Sequence, residues 1–233
     1  MISIIIPVWN EVEMIQRLHD HLLACLGIDE CEIIVVDGGS TDGTKELLAH
    51  LDVQVFHSAI TSRAVQMNLG AKHATKDVLW FVHADTLPPT TFISDIRDGL
   101  SKGYKRGGYS FKFESDRLLL RLNSIMTRLN VFSFRGGDQT LYCERDRWDE
   151  LEGYDEDFVI MEEYDFMKRA GAAGYPHLLM KGDVLVSARK YIHNSYLKVQ
   201  WVNLQAMRMF HKGVPSEEIK TFYRAHLRQS KAP

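Results

Sequence analysis

Ile34-Val35-Val36-Asp37-Gly38-Gly39-Ser40-Thr41-Asp42-Gly43-Thr44 is the stretch that decides the fold. Glu32 to Val36 reads as a buried strand, and it delivers an aspartate at its carboxyl end. Gly38 and Gly39 permit unusual backbone angles and the close approach of a ligand. Ser40 and Asp42 can accept hydrogen bonds from the first turn of a helix that starts at Thr44. Capping is the expected role for Asp42. It does not require the strand-end acid, so Asp37 is free to accept from the ring N–H of a pyrimidine base.

The same rhythm extends outward on both sides. Ile2 to Val8 is a continuous apolar run and reads as a first buried strand. Glu11 to Leu26 places Val12, Ile15, Leu18, Leu22 and Leu26 on one helix face. After the decisive stretch come a short helix (44–51), a strand (53–56), a helix (62–74) and a fourth strand (78–82). This β-α-β-α-β-α-β order predicts an α/β fold with a mostly parallel central sheet covered on both faces. Ligands bind such sheets outside the carboxyl ends of the strands. Three strands carry polar residues there: Trp9-Asn10-Glu11, Asp37 to Ser40, and His83-Ala84-Asp85.

Beyond Gly107 the pattern changes. The sequence predicts a strand at 107–113 and an amphipathic helix at 117–132, with Leu118, Leu122, Ile125, Met126 and Leu129 on one face. A turn at Gly136-Gly137-Asp138 leads to a short strand through Cys143. A helix follows at 162–173, closed by Gly174, then a late strand at 183–187. Helices at 196–211 and 216–227 end the pattern. The division expected is 1–190 as the main domain, split into halves 1–106 and 107–190, with 191–233 as a helical extension.

Composition narrows the class. The chain has 233 residues, of which 45% are hydrophobic and 25% charged, so it can bury a large core without disulfides. Its net charge of −3 argues against nucleic acid as a partner, because neutralising phosphates needs a basic face. Cys25, Cys31 and Cys143 show no C-x-x-C spacing and read as reduced thiols. The opening Met1-Ile2-Ser3-Ile4-Ile5-Ile6-Pro7 lacks the basic leader of a signal peptide, and no apolar run approaches the ~18 residues of a membrane span. These features lead us to expect a cytoplasmic protein, with any membrane contact limited to the surface.

Ser3-Ile4-Ile5-Ile6-Pro7-Val8-Trp9-Asn10-Glu11 and Ile34 to Thr44 resemble the opening signatures of family 2 glycosyltransferases. The resemblance continues through Arg63-Ala64-Val65-Gln66-Met67-Asn68-Leu69-Gly70 and His83-Ala84-Asp85, and covers about residues 1 to 190. The later half resembles a bacterial "transferase 2" subgroup associated with radical-SAM and selenium-related gene neighbourhoods. The resemblance implies the GT-A fold and a nucleotide-diphosphate sugar donor, with UDP favoured over GDP. It assigns Pro7, Trp9, Glu11, Asp37 and Gly39 to the nucleoside, and Arg63 to the base or diphosphate, where a guanidinium suits phosphate oxygens. Asn68 and Gly70 are expected to fix helix packing below the site.

Family 2 enzymes usually carry Asp-x-Asp after the fourth strand, and the last Asp binds Mg²⁺ or Mn²⁺. Here Asp85 keeps that position, whereas His83 replaces the first Asp and Ala84 lies between. One carboxylate plus diphosphate oxygens suffices for such an ion. The ion stabilises charge on the leaving nucleoside diphosphate. His193 is a candidate second ligand, and Arg189 with Lys190 can add positive charge. Both also suit an exposed surface.

Inverting transfer needs a carboxylate that takes a proton from the acceptor hydroxyl. Met161-Glu162-Glu163-Tyr164-Asp165-Phe166 resembles the segment that supplies it, with Glu163 at the family's Asp position. Glu162 and Asp165 stay open as alternatives, and a helix N-terminus favours acids in any case. Gly137, Asp138 and Gln139, with Arg135, match the subgroup's acceptor-side loop. The sequence therefore predicts a metal-dependent, inverting glycosyltransferase with an unidentified acceptor hydroxyl. A non-catalytic nucleotide-sugar binding protein and a sugar nucleotidyltransferase are the alternatives. Arg117, Arg121, Arg128, Lys198, Arg208 and Lys212 flank apolar helix faces. Ordinary packing of those helices on the sheet is the main expectation. A membrane-surface contact serving a lipid-linked acceptor, or a homodimer, would use the same faces.

Overall fold

The computed structural model describes residues 1–128 and 140–228. Strand β1 (Ile2–Val8) is buried at every position. A strand apolar on both faces belongs inside a sheet covered on both sides. It pairs in parallel with β2 (Cys31–Asp37) and with β4 (Val78–Phe81), and β2 pairs in parallel with β3 (Gln54–His57). Helices α1 (Val12–Leu23), α2 (Thr44–Leu48) and α3 (Arg63–His73) make the crossovers. Because successive side chains alternate faces, Ile4 and Ile6 join one core with Leu18, Leu22, Trp80 and Phe92. Ile5 joins the opposite core with Val36, Met67, Phe81 and Phe166.

Beyond β4 the sheet is mixed. β4 pairs antiparallel with β7 (Leu141–Glu144), and β7 pairs antiparallel with β6 (Arg106–Phe113). β6 runs parallel to β8 (His177–Val186), and β8 is antiparallel to β5 (Thr86–Leu87). Among the described residues the order is β3-β2-β1-β4-β7-β6-β8-β5. Gly107 and Gly108 let β6 lie tightly between its neighbours: a Cβ at Gly107 would come 2.6 Å from the Leu178 carbonyl oxygen, and one at Gly108 would strike that of Thr140.

Several elements differ from the sequence reading. Helix α4 (Phe92–Ser101) fills a stretch given no element, and Phe92 stacks on Trp80 at 4.2 Å. Helix α6 (Arg145–Glu150) is also additional, and buries Trp148. Strand β8 starts at His177, not Asp183. Its first half pairs with Gly107 to Tyr109, and a register shift at Tyr109/Ser110 breaks the alternation that would have revealed it.

Helix α5 (Leu118–Thr127) overturns the expectation that its apolar face packs on the sheet. It buries Leu120, Ser124 and Thr127 instead. Leu118, Leu122, Ile125 and Met126 face outward, 44–67% exposed. The reason lies in β6: Thr127 Oγ1 donates to the Phe111 carbonyl at 3.1 Å, and Ser124 Oγ donates to Leu120 O, so the polar side docks. The expected end of this helix, the turn at 136–138 and the residues Arg135, Gly137, Asp138 and Gln139 lie outside the described residues.

Helix α7 (Glu162–Ala172) follows Met161, whose φ of 71° is left-handed. Helices α8 (Tyr196–His211) and α9 (Ser216–His226) close the chain. They share one core with Leu120, Tyr191, Val199, Val202 and Leu227, and another with Met161, Ala206, Met207 and Ile219. No described helix is long and apolar enough to cross a membrane. All three cysteines are free thiols, with Cys25 and Cys143 buried.

Candidate active site

Two loops at the carboxyl ends of β1 and β2 are sewn together by short polar side chains. Asn10, at a left-handed φ of 52°, accepts from Thr41 N–H through Oδ1 at 2.8 Å. Its own N–H donates to Ser40 Oγ at 2.8 Å, and Glu11 N–H donates to Thr44 Oγ1 at 3.0 Å. Ser40 therefore serves the neighbouring loop, not the first turn of α2. Asp42 accepts from the N–H of Thr44 and of Val12.

Asp37 is fully buried and accepts from the N–H groups of Gly39 and Ser40 at 3.1 Å. That bond fixes the loop in an Asx turn. Asp37 Oδ2 also faces His57 Nδ1 at 3.6 Å and Lys45 Nζ at 4.0 Å. Gly39 has a φ of +89°, as a tight turn requires, and no atom lies within 4 Å of where its Cβ would be. Pro7, one residue before the end of β1, is buried, while Trp9 is half-buried.

Gln66 holds the base of this site and was missed as a site residue in the sequence. Its Nε2 donates to Val8 O at 2.8 Å and to Val36 O at 2.7 Å, bridging the ends of β1 and β2. Gly38 is glycine because a Cβ there would come 3.0 Å from the Gln66 amide. A glutamine on the buried face of α3, beside Met67 and Gly70, was the available signal. Below it, Asn68 exchanges hydrogen bonds with the backbone of Tyr154, tying α3 to the segment before α7.

Two ion clusters flank His83-Ala84-Asp85. On one side Arg189 forks onto Glu11, with Nη1 and Nη2 each 2.6 Å from a carboxylate oxygen. The same Nη2 lies 3.0 Å from Asp85 Oδ2. Glu11 is buried, and Asp85 and Arg189 are partly so. On the other side, His83 Nε2 lies 3.5 Å from Glu163 Oε1 as an ion pair, and that oxygen accepts no hydrogen bond among the described residues. Arg63 Nε lies 2.8 Å from Glu162 Oε1 as an ion pair, off the N–H direction that a hydrogen bond needs. Ala84 between them packs into the core. Asp165 instead pairs with Arg169 at 2.7 Å, whose guanidinium also binds the Gly153 carbonyl.

The two adjacent glutamates are pushed in opposite directions. Burial pushes Glu162 up to about 7 against the pull of Arg63, and the negative Glu163 adds to the rise. Burial also opposes ionisation of Glu163, but Arg63 and the neighbouring His83 outweigh it and hold this carboxyl well below the usual range. Burial disfavours the charged His83 ring, yet Glu163 more than compensates and raises it above the ordinary imidazole value. Carboxylates driven apart in this way are suited to distinct chemical roles.

Asp85 presents a hard oxygen ligand at the end of β4, within reach of solvent. Among the described residues no group of three or more His, Cys, Asp or Glu encloses a metal. A divalent ion here would take most of its ligands from water and phosphate oxygens, and the donor set fits that mode of binding. His193 is exposed just past the 3-10 turn Arg189–Tyr191.

Carboxylates and guanidiniums thus gather at the carboxyl ends of the strands, where α/β sheets bind their ligands. The family model for glycosyl transferase family 2 matches residues 3–154, and the chain belongs to that family as a glycosyltransferase. The fold is GT-A. It is similar to the mannosyltransferase PcManGT from Pyrobaculum calidifontis, solved with GDP-Man and Mn²⁺: TM-score 0.67, 18% identity, covering 96% of this chain and 68% of that one. The 1–349 portion of S. aureus TarS with UDP-GlcNAc gives 0.65 and 16%, covering 97% and 71%. Glucosyl-3-phosphoglycerate synthase from Mycobacterium tuberculosis, with Mn²⁺, UDP and phosphoglyceric acid, gives 0.63 and 16%, covering 92% and 79%.

Proposed function

We propose that the protein transfers a sugar from a nucleoside-diphosphate donor, UDP or GDP, to an acceptor hydroxyl with inversion at the anomeric carbon. The observation that carries this reading is the pair of ion clusters on either side of His83-Ala84-Asp85. The nucleoside lies against Pro7, Trp9, Glu11, Asp37 and Gly39, where Asp37 accepts from the base. Asp85 holds the divalent ion, Mn²⁺ or Mg²⁺, with His193 as a further candidate ligand. When bound, that ion supplies positive charge to the departing diphosphate.

The chain's own residues do the rest. Arg189 and Arg63 bring guanidinium charge to the two sides of the diphosphate. Arg189 already bridges Glu11 and Asp85, so it links the nucleoside side to the metal side. Glu163, held ionised by Arg63 and His83, accepts the proton of the attacking hydroxyl. Glu162 pairs with Arg63 and sets its position. His83 orients Glu163 and offers a donor to the donor's ribose or sugar. Residues 1–106 thus form the donor half and 107–190 the acceptor half.

The test is thermal stability against UDP, GDP and their sugars, with and without Mn²⁺. A ligand at a hundred times its Kd stabilises the folded state by about 2.7 kcal/mol. A Mn²⁺-dependent rise in melting temperature that is lost in Asp85→Asn supports the reading. No rise with any nucleotide overturns it.

A further inference from the structure

Helix α5 is inside out. Its docked side carries Ser124 and Thr127, while Leu118, Leu119, Leu122, Ile125 and Met126 are exposed. Helix α8 buries an apolar face, Val199, Val202, Ala206 and Met207, and carries a second one outward. Leu197, Trp201 and Leu204 form an outward stripe at helical spacing, each about half exposed or more. Leu120 of α5 and Val199 and Val202 of α8 meet in one buried cluster, so the two outward faces rise from a common base. Apolar surface of this kind on two adjoining helices marks a binding face.

The charges around it name the partner. Neither helix contains an aspartate or a glutamate. Arg117 and Arg121 on the α5 side, and Lys198 and Arg208 on α8, are exposed at the border of the apolar residues. This cationic border belongs to a chain whose net charge is −3. A two-fold contact with a second copy would bring two patches of the same positive sign together, with no acidic residue on either helix to pair with them. An anionic lipid surface neutralises them and takes the apolar side chains below its headgroups. Trp201, in the middle of the stripe, leans on Phe222 and His226 of α9 and stays half exposed, as suits a ring that is apolar at one end and wet at the other.

We propose that the α5–α8 face docks the protein on an anionic membrane surface. The docked face is tied to the active site. Arg117 Nη1 donates to the Tyr191 carbonyl at 3.0 Å, and Tyr191 shares its 3-10 turn with Arg189. A recess of about 400 Å3 opens between them, lined by Arg117, Leu118, Leu119, Leu120, Tyr191 and Tyr196. An acceptor hydroxyl carried on a lipid would reach the transfer site along this edge.

The experiment is flotation of the full chain with vesicles of phosphatidylcholine alone or mixed with phosphatidylglycerol, without sugar nucleotide. Docking is therefore read independently of the transferase reading. The protein is expected to float with the phosphatidylglycerol vesicles only, and to be released by high salt. Arg121→Ala should weaken partitioning about fivefold, which is the ~1 kcal/mol that one cation contributes at such a surface. Leu122→Glu with Ile125→Glu should abolish flotation while leaving the melting temperature unchanged, since both side chains are exposed. Equal flotation with both vesicle types, no flotation at all, or flotation that survives the double substitution overturns the proposal. So does a solution dimer that Ile125→Glu splits without any vesicle binding.

Discussion

Replacing Arg189 by Met removes the fork that neutralises Glu11 and touches Asp85. Glu11 is 7% exposed and Arg189 24% exposed, so the pair is mostly withdrawn from water. Breaking a buried ion pair by deleting one partner costs about 3–5 kcal/mol, because a buried charge is left without compensation. Water reaches the Arg189 side, which places the expected loss near the lower end, about 3 kcal/mol. For a chain of this size each kcal/mol moves the melting temperature by about 2–4 °C, so Arg189→Met should melt about 6–12 °C lower. Urea unfolding at neutral pH should show the same loss as a lower midpoint with an unchanged slope. Most of the cost is the stranded Glu11 charge, so Glu11→Gln combined with Arg189→Met should recover at least half of it. A loss under about 1 kcal/mol, or strictly additive single effects, would refute the view that Arg189 and Glu11 are energetically coupled.

Three further outcomes are expected. Gly70→Ala puts a Cβ 2.5 Å from Ile5 Cγ2 and 3.2 Å from Val36 Cγ2, in the layer beneath the donor loops. Overpacking there costs about 1–3 kcal/mol, against up to about 1 kcal/mol gained in helix propensity. Calorimetry should therefore show a lower melting temperature. Glu162 has a folded-state pKa raised to about 7 from 4.5, so the stability that comes with its protonated form is complete below about pH 4.5 and lost as pH rises through about 7. Glu162→Gln should accordingly melt with the wild type near pH 4.5 and above it at pH 8; the reverse order would refute the buried-carboxyl assignment. Gln66→Leu removes both bonds that bridge Val8 and Val36; Val8 O keeps the Gly38 N–H at 2.9 Å, so the cost is that of the lost bonds, about 0.5–1.5 kcal/mol each. Hydrogen exchange should show faster opening of the Gly38–Ser40 loop in that variant.

The parallel half of the sheet and its strand-end loops were legible because their signals are local. The β1 and β2 runs, the Asp37-Gly38-Gly39 turn and the strand-end position of Asp85 each lie within a few consecutive residues, and the structure places them together. What escaped the sequence joins distant residues. Arg189 and Glu11 are separated by 178 positions, and nothing near either one announces the other. The first half of β8 was hidden by the register shift opposite Tyr109 and by Gly182, whose φ is +102°. Helix α4 carries only a short apolar pattern and was passed over. On α5 the periodicity was read correctly as one apolar face, but periodicity does not say which face docks. Thr127 and Ser124, satisfied against the backbone of β6 and α5, decided that.

The most direct measurement of transfer chemistry is release of nucleoside diphosphate from UDP- and GDP-sugars by the wild type, Asp85→Asn and Glu163→Gln, with Mn²⁺ or with chelator. Release that needs the metal and falls at least a hundredfold in both variants is the result predicted, as about 3 kcal/mol of lost transition-state stabilisation implies. Release that persists in chelator, or is undiminished in Asp85→Asn, would contradict a metal-assisted donor site at the end of β4.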